Sequence, residues 1–298
     1  MDVSIILVNY NTCNLTISCI ESIFKYTKDI DFEIIVVDNN SSDESQARLI
    51  NDKRIIFIES GANLGFGRAN NLGLSKAKGE FVLFLNTDTI LLNNAVKKFW
   101  DFATTHSSFA IGALGCQLVD ENNYHVHSSS NFPNIYDSFI FEIKDHISTL
   151  LGKQKIMRTS NYYKEDSFNY YEVDYVTGAD MFVRRYTLNK HGGFDPDFFM
   201  YYEETELQHR WKKQGFHNFI IEGPRIVHLE RKSSKLVNTF NREFRDLTSR
   251  ILYFKKTESM CSYITFRIML VCFRIHYFFK CSIKLNEKKR LLKLLFCK

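Results

Sequence analysis

The sequence predicts an α/β fold built on a mostly parallel sheet with flanking helices, and three features support this prediction. Short apolar runs of strand length recur along the first 120 residues, and segments with helical periodicity separate them. Strands that alternate with helices are typical of parallel sheets with right-handed crossovers. Polar residues follow successive predicted strands directly, and parallel sheets bind their ligands at that edge.

The predicted elements follow one another in regular order. Apolar runs predict strands at residues 3–10, 33–38, 54–59, 80–86 and 110–119, and residues 171–185 return to strand-like patterning. Helical periodicity predicts helices at residues 14–26, 93–106 and 236–257, with others opening near residues 44, 66 and 203. Ser41 followed by Glu44 has the spacing of a capping box, so we expect this pair to open the second helix.

The composition is that of a globular protein in a reducing compartment. Of its 298 residues, 45% are hydrophobic and 24% are charged, which fits one large domain or two closely joined halves. The seven cysteines are odd in number and form no CxxC pair, so they indicate neither a disulfide framework nor a zinc site. The apolar run at residues 3–8 lacks a basic region before it and is interpreted as a strand, not a signal peptide.

The last 40 residues are basic and apolar. Residues 259–298 hold nine Lys and Arg against one acid, a net charge of +8 within a total of +5. Charge alone would suit either a membrane or a nucleic acid, but the lack of base-stacking motifs argues against nucleic acid. Arg267, Arg274 and Lys280 interrupt the apolar run at residues 264–283. Since Arg267 and Arg274 share a helix face, we expect a helix lying in the membrane interface instead of one that spans it.

Two of the strand-end segments suit a nucleotide. Asp38 ends a predicted buried strand, where its carboxylate can accept the imide N–H of uracil or thymine; an Asx turn is the alternative. Gly65 and Gly67 precede a predicted helix, whose N-terminus favours phosphate. Asn70 stands where a dinucleotide fingerprint would need a third glycine, so a tight turn is the alternative there.

Other polar residues suit a metal and a general base. Asp88, with Asn86, follows a strand and could bind a hard cation on a diphosphate, although turns carry such residues too. His228 follows a short apolar run and is either structural or a second metal ligand beside Asp88. Three acids open a predicted helix, where the helix dipole keeps carboxylates ionised, as a general base requires; capping is the alternative. They are Glu203, Glu204 and Glu206.

Seven segments in order resemble family 2 glycosyltransferases, which have the GT-A fold, and in particular the rhamnosyltransferase-like branch that builds O-antigen and other surface polysaccharides in bacteria. They are SIILVNYN, VVDNNSSDES, NLGFGRANN, LNTD, TGADMFVRR, GGFDPDFFMYYEETEL and VHLERKS. The resemblance implies that twelve residues hold the nucleotide-sugar: Asn9, Tyr10, Asn11, Asp38, Asn63, Gly65, Phe66, Asn70, Asn86, Gly178, Ala179 and Asp180.

The resemblance also implies the reacting groups. Glu204 would be the catalytic base, with Glu203 and Glu206 in support, while Asp88 and His228 would hold Mg²⁺ or Mn²⁺. Two departures from the family pattern matter. Asn86 replaces the first acid of the DXD motif, and Glu204 stands where Asp is usual, so Glu206 is a fallback base.

The resemblance implies inverting transfer from a nucleotide diphosphate sugar, with dTDP-rhamnose suggested by the branch, to a polyprenyl-diphosphate-linked saccharide. We expect a nucleotide-sugar-binding half at 1–120, an acceptor and catalytic half at 121–235 and membrane-contacting helices at 236–298. Residues 121–170 would be an acceptor-side insertion. The expected location is the cytoplasmic face of the inner membrane, bound peripherally to its anionic surface. A sugar-nucleotide pyrophosphorylase and a non-catalytic scaffold of a polysaccharide assembly complex remain alternatives.

Overall fold

The computed structural model describes residues 1–150, 169–229, 239–274 and 284–296. They form two compact units. The first unit, called the transferase unit after the resemblance of its segments, comprises Met1–Asn131 and the described part of Ser160–Leu236. The helical unit comprises the described parts of Phe132–Thr159 and Val237–Lys298.

The transferase unit is built on an eight-stranded sheet of order β3-β2-β1-β4-β10-β6-β11-β8, with two short two-stranded sheets, β5 with β12 and β7 with β9. The strands are β1 (Val3–Asn9), β2 (Phe32–Asp38), β3 (Ile56–Glu59), β4 (Phe81–Leu85), β5 (Thr89–Leu91), β6 (Ile111–Cys116), β7 (Ser129–Ser130), β8 (Tyr170–Val173), β9 (Tyr175–Val176), β10 (Asp180–Arg184), β11 (His217–Ile221) and β12 (Ile226–His228).

Helices cover the sheet in the transferase unit and make up the helical unit. Those of the transferase unit are α1 (Cys13–Tyr26), α2 (Ser45–Leu49), α3 (Phe66–Leu74), α4 (Ala95–Thr105), α6 (Arg185–His191) and α7 (Glu203–Lys212). Those of the helical unit are α5 (Ile135–Leu150), α8 (Thr239–Thr257), α9 (Met260–Arg274) and α10 (Leu285–Phe296).

The sheet is parallel where the apolar runs predicted it. β1 pairs in parallel with β2 and β4, and β2 pairs in parallel with β3, whereas β10 runs antiparallel between β4 and β6. Successive residues of β1 enter opposite layers of the core: Ile5 joins the apolar cluster that contains Phe99, and Ile6 joins the one that contains Trp211. A strand buried on both faces needs apolar residues on both of them, which explains the nearly continuous apolar run of β1.

This pairing collects several loops at one edge. The parallel register sets Asn9 beside Asp38 at the carboxyl ends of β1 and β2. Because β10 is antiparallel, its first residue, Asp180, pairs with Leu85 at the carboxyl end of β4. The loops after β1, β2 and β4 and the loop before β10 therefore emerge together, where ligands of such sheets bind.

Two local predictions about helices need revision. The capping box is wrong, because α2 begins at Ser45 without a side-chain cap. The Ser41 hydroxyl instead accepts hydrogen bonds from Asn9 and Asn11, far from it in sequence. Within 121–170, where no clear periodicity is visible, helix α5 forms and belongs to the helical unit. Residues 151–168 lie outside the described part of the chain, and the acceptor-side role of the segment stays a prediction.

Buried charge joins three helices of the helical unit. Glu142 of α5 is 1% exposed and accepts hydrogen bonds from Arg250 of α8 at 2.7 Å and Arg274 of α9 at 2.6 Å. The two guanidinium groups outweigh the effect of burial and lower the pKa of Glu142 to about 2. Breaking such a pair is costly, so the cluster constrains how these helices pack.

The arginines of the tail face inward. Arg274 binds Glu142, and Arg267 donates to the backbone carbonyl oxygens of Leu294 and Leu295 at the end of α10. Both guanidinium groups are therefore used inside the unit, and the interfacial position expected for this helix stays a prediction. Residues 275–283, which include Lys280, fall outside the described residues. Among the described helices, none has the length and apolar character needed to cross a bilayer.

Candidate active site

Asp38 is held by two donors at the end of β2. One of its carboxylate oxygens accepts from the side-chain amide of Asn9 at 2.7 Å, and the other accepts from the backbone N–H of Ser41 at 3.0 Å. The side chain is 4% exposed. These contacts fix the orientation of the carboxylate that the resemblance assigns to the nucleotide base.

Asn9 positions Asp38 and is itself saturated by contacts within the protein. Its amide nitrogen also donates to the Ser41 hydroxyl at 3.0 Å, and its amide oxygen accepts from Thr12 at 3.0 Å and Thr16 at 2.7 Å. Both amide hydrogens and both oxygen lone pairs are thus used, and the residue is fully buried. The geometry gives Asn9 a supporting role beneath the pocket in place of the predicted contact with the nucleotide.

The neighbours of Asn9 are more open. Tyr10 is 46% exposed. Asn11 adopts a left-handed backbone conformation, with φ of 56°, and its side-chain oxygen accepts from the backbone N–H of Ser42 at 2.7 Å. Asn11 therefore ties the loop after β1 to the loop after β2, while the exposed Tyr10 ring is available to a ligand. Their predicted roles in nucleotide binding stay predictions.

Asn39 holds the glycine-containing loop in place. Its amide nitrogen donates to the side chain of Asn63 and to the carbonyl of Gly65, both at 3.2 Å, and its amide oxygen accepts from the Leu64 backbone at 2.8 Å. It is 3% exposed. The predictions from sequence missed Asn39, although its position between Asp38 and Asn40 at a strand end was a usable signal.

Gly65 allows this loop to approach the segment before α7. Its φ is +84°, and a Cβ at this position would lie 2.0 Å from the carbonyl oxygen of Phe199. The backbone N–H of Phe66 donates to that same oxygen at 2.9 Å. Only glycine fits here, so the tight turn is a sufficient reason for it. The additional role in cradling phosphate stays a prediction.

Three distant segments converge at Gly178. A Cβ at Gly178 would lie 3.2 Å from the Phe66 ring and 3.8 Å from Cβ of Glu204. The next residue, Ala179, accepts a hydrogen bond from the backbone N–H of Asn86 at 3.0 Å. Three segments thereby meet at the loop before β10: the start of α3, the start of α7 and the loop after β4. The resemblance predicts such an arrangement.

Two predicted pocket residues are turned into the protein. Asp180 is fully buried, and its carboxylate accepts from the Cys116 backbone at 2.7 Å. Burial raises the pKa of Asp180 to about 6. Asn70 is 1% exposed and donates to the Phe66 carbonyl within its own helix at 3.2 Å. Both side chains are therefore held by contacts within the protein, and their predicted roles in nucleotide-sugar binding stay predictions.

Asp88 and His228 are neighbours, as a shared metal would require. The strand pairing sets Thr89 opposite His228, which brings Oδ1 of Asp88 to 3.3 Å from Nε2 of His228. Carboxylate and imidazole together are a donor set that divalent cations accept. No cluster of three or more His, Cys, Asp or Glu suited to a metal occurs in the described ranges. A cation here would take its remaining ligands from diphosphate oxygens or water.

Glu203 and Glu204 open α7 in an apolar setting. Glu203 is 3% exposed, and its Oε2 has no hydrogen-bond partner among the described residues. Burial and the adjacent Glu204 raise the pKa of Glu203 well above its usual value. Glu204 is half-buried, and burial raises its pKa too. Tyr201 and Tyr202, with φ of 73° and 68°, lead into this turn in a conformation that is costly for aromatic residues.

Glu206 is occupied by an arginine. Its two oxygens accept from Arg210 at 3.1 and 3.2 Å. The same guanidinium donates to the carbonyl oxygens of His191 and Gly193 at 2.7 and 2.8 Å. The geometry therefore favours a structural role for Glu206, in which it anchors the loop before α7, over its proposed role as fallback base.

Gln208 fastens the helix of the acids to the wall of the site. It is fully buried and forms a pair of hydrogen bonds with the backbone of Val176, accepting at 2.9 Å and donating at 2.8 Å. Its amide also donates to the carbonyl oxygen of Glu204 at 3.1 Å. The sequence predictions missed Gln208, because a glutamine within a polar helical segment gives no sign that it is buried.

The fold and this edge of the sheet define an α/β protein of the nucleotide-binding class. The chain belongs to glycosyl transferase family 2, whose sequence profile matches residues 4–191. The predicted family and its GT-A-like fold are confirmed, so the chain is a glycosyltransferase.

Two relatives extend the similarity over most of the chain. Low-salt glycan biosynthesis hexosyltransferase Agl10 of Haloferax volcanii is 24% identical over 277 residues, which cover 90% of this chain and 82% of that protein. Rhamnosyltransferase WbbL of Escherichia coli is 27% identical over 222 residues, which cover 72% of this chain and 78% of that protein.

Solved structures share the fold. GalNAc-T7 with UDP, GalNAc and Mn²⁺ matches with a TM-score of 0.63 and 13% identity, over 86% of this chain and 48% of that one. Residues 1–349 of S. aureus TarS match with a TM-score of 0.51 and 16% identity, over 99% of this chain and 79% of that one.

Proposed function

We propose that the chain is an inverting transferase that moves a sugar from a nucleotide diphosphate to a hydroxyl of a lipid-linked saccharide during surface polysaccharide synthesis. The observation that carries this proposal is the convergence at Gly178 of Phe66 from the donor side and Glu204 from the acceptor side. Because of this convergence, segments that are more than a hundred residues apart in sequence contribute to one proposed site.

Glu204 acts as the general base. Its carboxylate takes the proton of the acceptor hydroxyl, whose oxygen then bonds to the anomeric carbon on the face opposite the diphosphate. The bond from that carbon to the diphosphate breaks, and the nucleoside diphosphate leaves with the electron pair. The raised pKa of Glu204 suits a base that must accept a proton near neutral pH.

Asp88 and His228 would hold Mg²⁺ or Mn²⁺ on the donor side. When bound, such a cation neutralises charge on the diphosphate. The Asp88 carboxylate and the His228 imidazole are 3.3 Å apart, and a structural neighbour contains Mn²⁺ with UDP. Asp38, kept in place by Asn9 and Ser41, would accept from the nucleotide base.

Three observations bear on the donor and the acceptor. Similarity to a protein named a rhamnosyltransferase favours dTDP-rhamnose as donor. The names of relatives, which include a poly(ribitol-phosphate) beta-glucosyltransferase, favour a glycan acceptor. The basic, apolar tail favours an acceptor carried on a polyprenyl diphosphate at the cytoplasmic face of the inner membrane, with peripheral attachment.

Donor binding gives the direct test. We would titrate the full chain calorimetrically with dTDP-rhamnose and with UDP- and GDP-sugars, with and without Mn²⁺. We expect one donor to bind in a Mn²⁺-dependent way, and Asp88→Asn to lower its affinity at least about tenfold by weakening metal binding. Asp101→Asn, which changes an exposed acid of α4, is the matched control.

Two results would contradict the proposal. Failure of every nucleotide-sugar to bind would remove the donor site. An Asp88→Asn variant that keeps full Mn²⁺ dependence would place the metal elsewhere. Release of free sugar from the bound donor, measured in the same samples, separates an active enzyme from a scaffold.

A further inference from the structure

Helix α10 presents an apolar stripe to solvent. Leu285, Leu292 and Phe296 are 68%, 43% and 58% exposed. Their spacing of seven and four residues places them on one face of the helix. The opposite face already packs within the helical unit through buried leucines, which are Leu291, Leu294 and Leu295. The exposed stripe is therefore a second apolar surface that the packing of the unit does not account for.

Lysines border this stripe. Lys289 and Lys293 are exposed, and their spacing sets them beside Leu292 and Phe296 on the helix surface. The only acid of α10 is Glu287, whose carboxylate accepts from the backbone N–H of Lys284 before the first turn. The stripe is thus flanked by positive charge without a competing acid in its last two turns. We call Leu285, Lys289, Leu292, Lys293 and Phe296 the α10 face.

We propose that the α10 face docks on an anionic lipid bilayer, with the leucines and Phe296 among the acyl chains and the lysines at the headgroups. This rests on the proposed function and names the surface that would bring the enzyme to a lipid-linked acceptor. The inward use of Arg267 and Arg274 leaves Lys289 and Lys293 as the cations beside the exposed apolar stripe.

Charge argues for lipid over a protein partner. The cores of protein interfaces are depleted in lysine, whereas interfacial helices combine an apolar face with lysines whose stems lie along the apolar surface. Residues 259–298 carry a net charge of +8, which complements anionic headgroups and would oppose association with a second copy of the same face.

The experiment is flotation of the full chain with vesicles of phosphatidylcholine, alone or mixed with phosphatidylglycerol. We expect wild type to float with the mixed vesicles in a salt-sensitive way and to stay behind with phosphatidylcholine alone. The double variant Leu292→Glu/Phe296→Glu should weaken binding more than about a hundredfold. Lys289→Gln/Lys293→Gln should weaken it about 25-fold and reduce the salt dependence.

The control places the same charges elsewhere. Ile50→Glu/Tyr124→Glu also replaces two exposed hydrophobic residues with acids, but in the transferase unit, and should float like wild type. Circular dichroism and donor titration accompany every variant, so that misfolding and loss of the nucleotide site are seen separately. If no protein binds a donor, the proposed function fails while the flotation result still decides the docking surface.

Three outcomes would overturn the proposal. Wild type could fail to float with mixed vesicles, or Leu292→Glu/Phe296→Glu could float as well as wild type. Light scattering could also show a wild-type dimer that this variant converts to a monomer while flotation is unchanged, which would assign the α10 face to a second copy of the chain.

Discussion

The two units bury glutamates in opposite surroundings. Glu142 of the helical unit is 1% exposed and lies between two arginines, which lower its pKa to about 2. Glu203 of the transferase unit is 3% exposed beside a second acid, and its pKa is raised well above the usual value. Similar burial thus accompanies a lowered pKa in one unit and a raised pKa in the other.

The two surroundings suit a structural role for Glu142 and a chemical role for Glu203 and Glu204. Glu142 joins α5, α8 and α9 because a buried charge must stay with its partners. Within the described ranges, Glu203 and Glu204 have no comparable cation, and such acids are typical of functional sites, where a proton must be gained or lost near neutral pH. Glu206 resembles Glu142 more closely than its neighbours, since Arg210 holds both of its oxygens.

The largest expected effect lies within the glutamate pair itself. Glu204→Gln should lower turnover by about 10²–10⁴-fold, because the general base is lost. Glu203→Gln should cost far less, roughly tenfold or under, because Glu203 supports the base and takes no proton from the acceptor in the proposed reaction. Steady-state kinetics with the donor found by titration would measure both. Equal losses in the two variants would contradict the assignment of the base to Glu204 alone.

The helical unit should respond in stability. Glu142→Gln leaves Arg250 and Arg274 without their counter-charge and should lower the free energy of unfolding by about 3–5 kcal/mol. Chemical denaturation would measure it, with Glu258→Gln of the same unit as control and donor affinity as a check on the transferase unit. A loss no larger than that of the control would show that the cluster contributes little.

The pH dependence of stability and that of turnover should reflect pKa shifts in opposite directions. The folded-state pKa of Glu142 is depressed, so its stabilisation is present above its ordinary pKa of 4.5 and is lost as the pH falls towards about 2. The pKa of Glu204 is raised, so the acid limb of the kcat profile should lie above pH 4.5. An acid limb below that value would contradict the environment assigned to Glu204.

The predicted strands were recognised because burial on both faces leaves a local trace. β1, β2 and β4 are continuous apolar runs, and their parallel order follows from the helices between them. The site segments were identified by their order and resemblance. Asp88 and His228 lie 3.3 Å apart, and their role as metal ligands stays a prediction.

The errors came from patterns that have more than one use. The spacing of Ser41 and Glu44 fits a capping box, yet Ser41 bonds to Asn9 across the sheet edge. The spacing of Arg267 and Arg274 correctly places them on one helix face but does not say whether that face is buried. Gln208 is polar in a polar segment, and its burial against Val176 depends on a strand 32 residues earlier.

The amino-acid sequence by itself determined the parallel α/β core, the family and the set of polar segments, because each depends on neighbours along the chain. The tertiary structure decided which members of that set are held by contacts within the protein, as with Asn9, Asp180 and Glu206. It also decided whether the pKa of a buried glutamate is raised or lowered. Hydrogen bonds, burial and ion pairs between distant residues set those properties, and no local pattern records them.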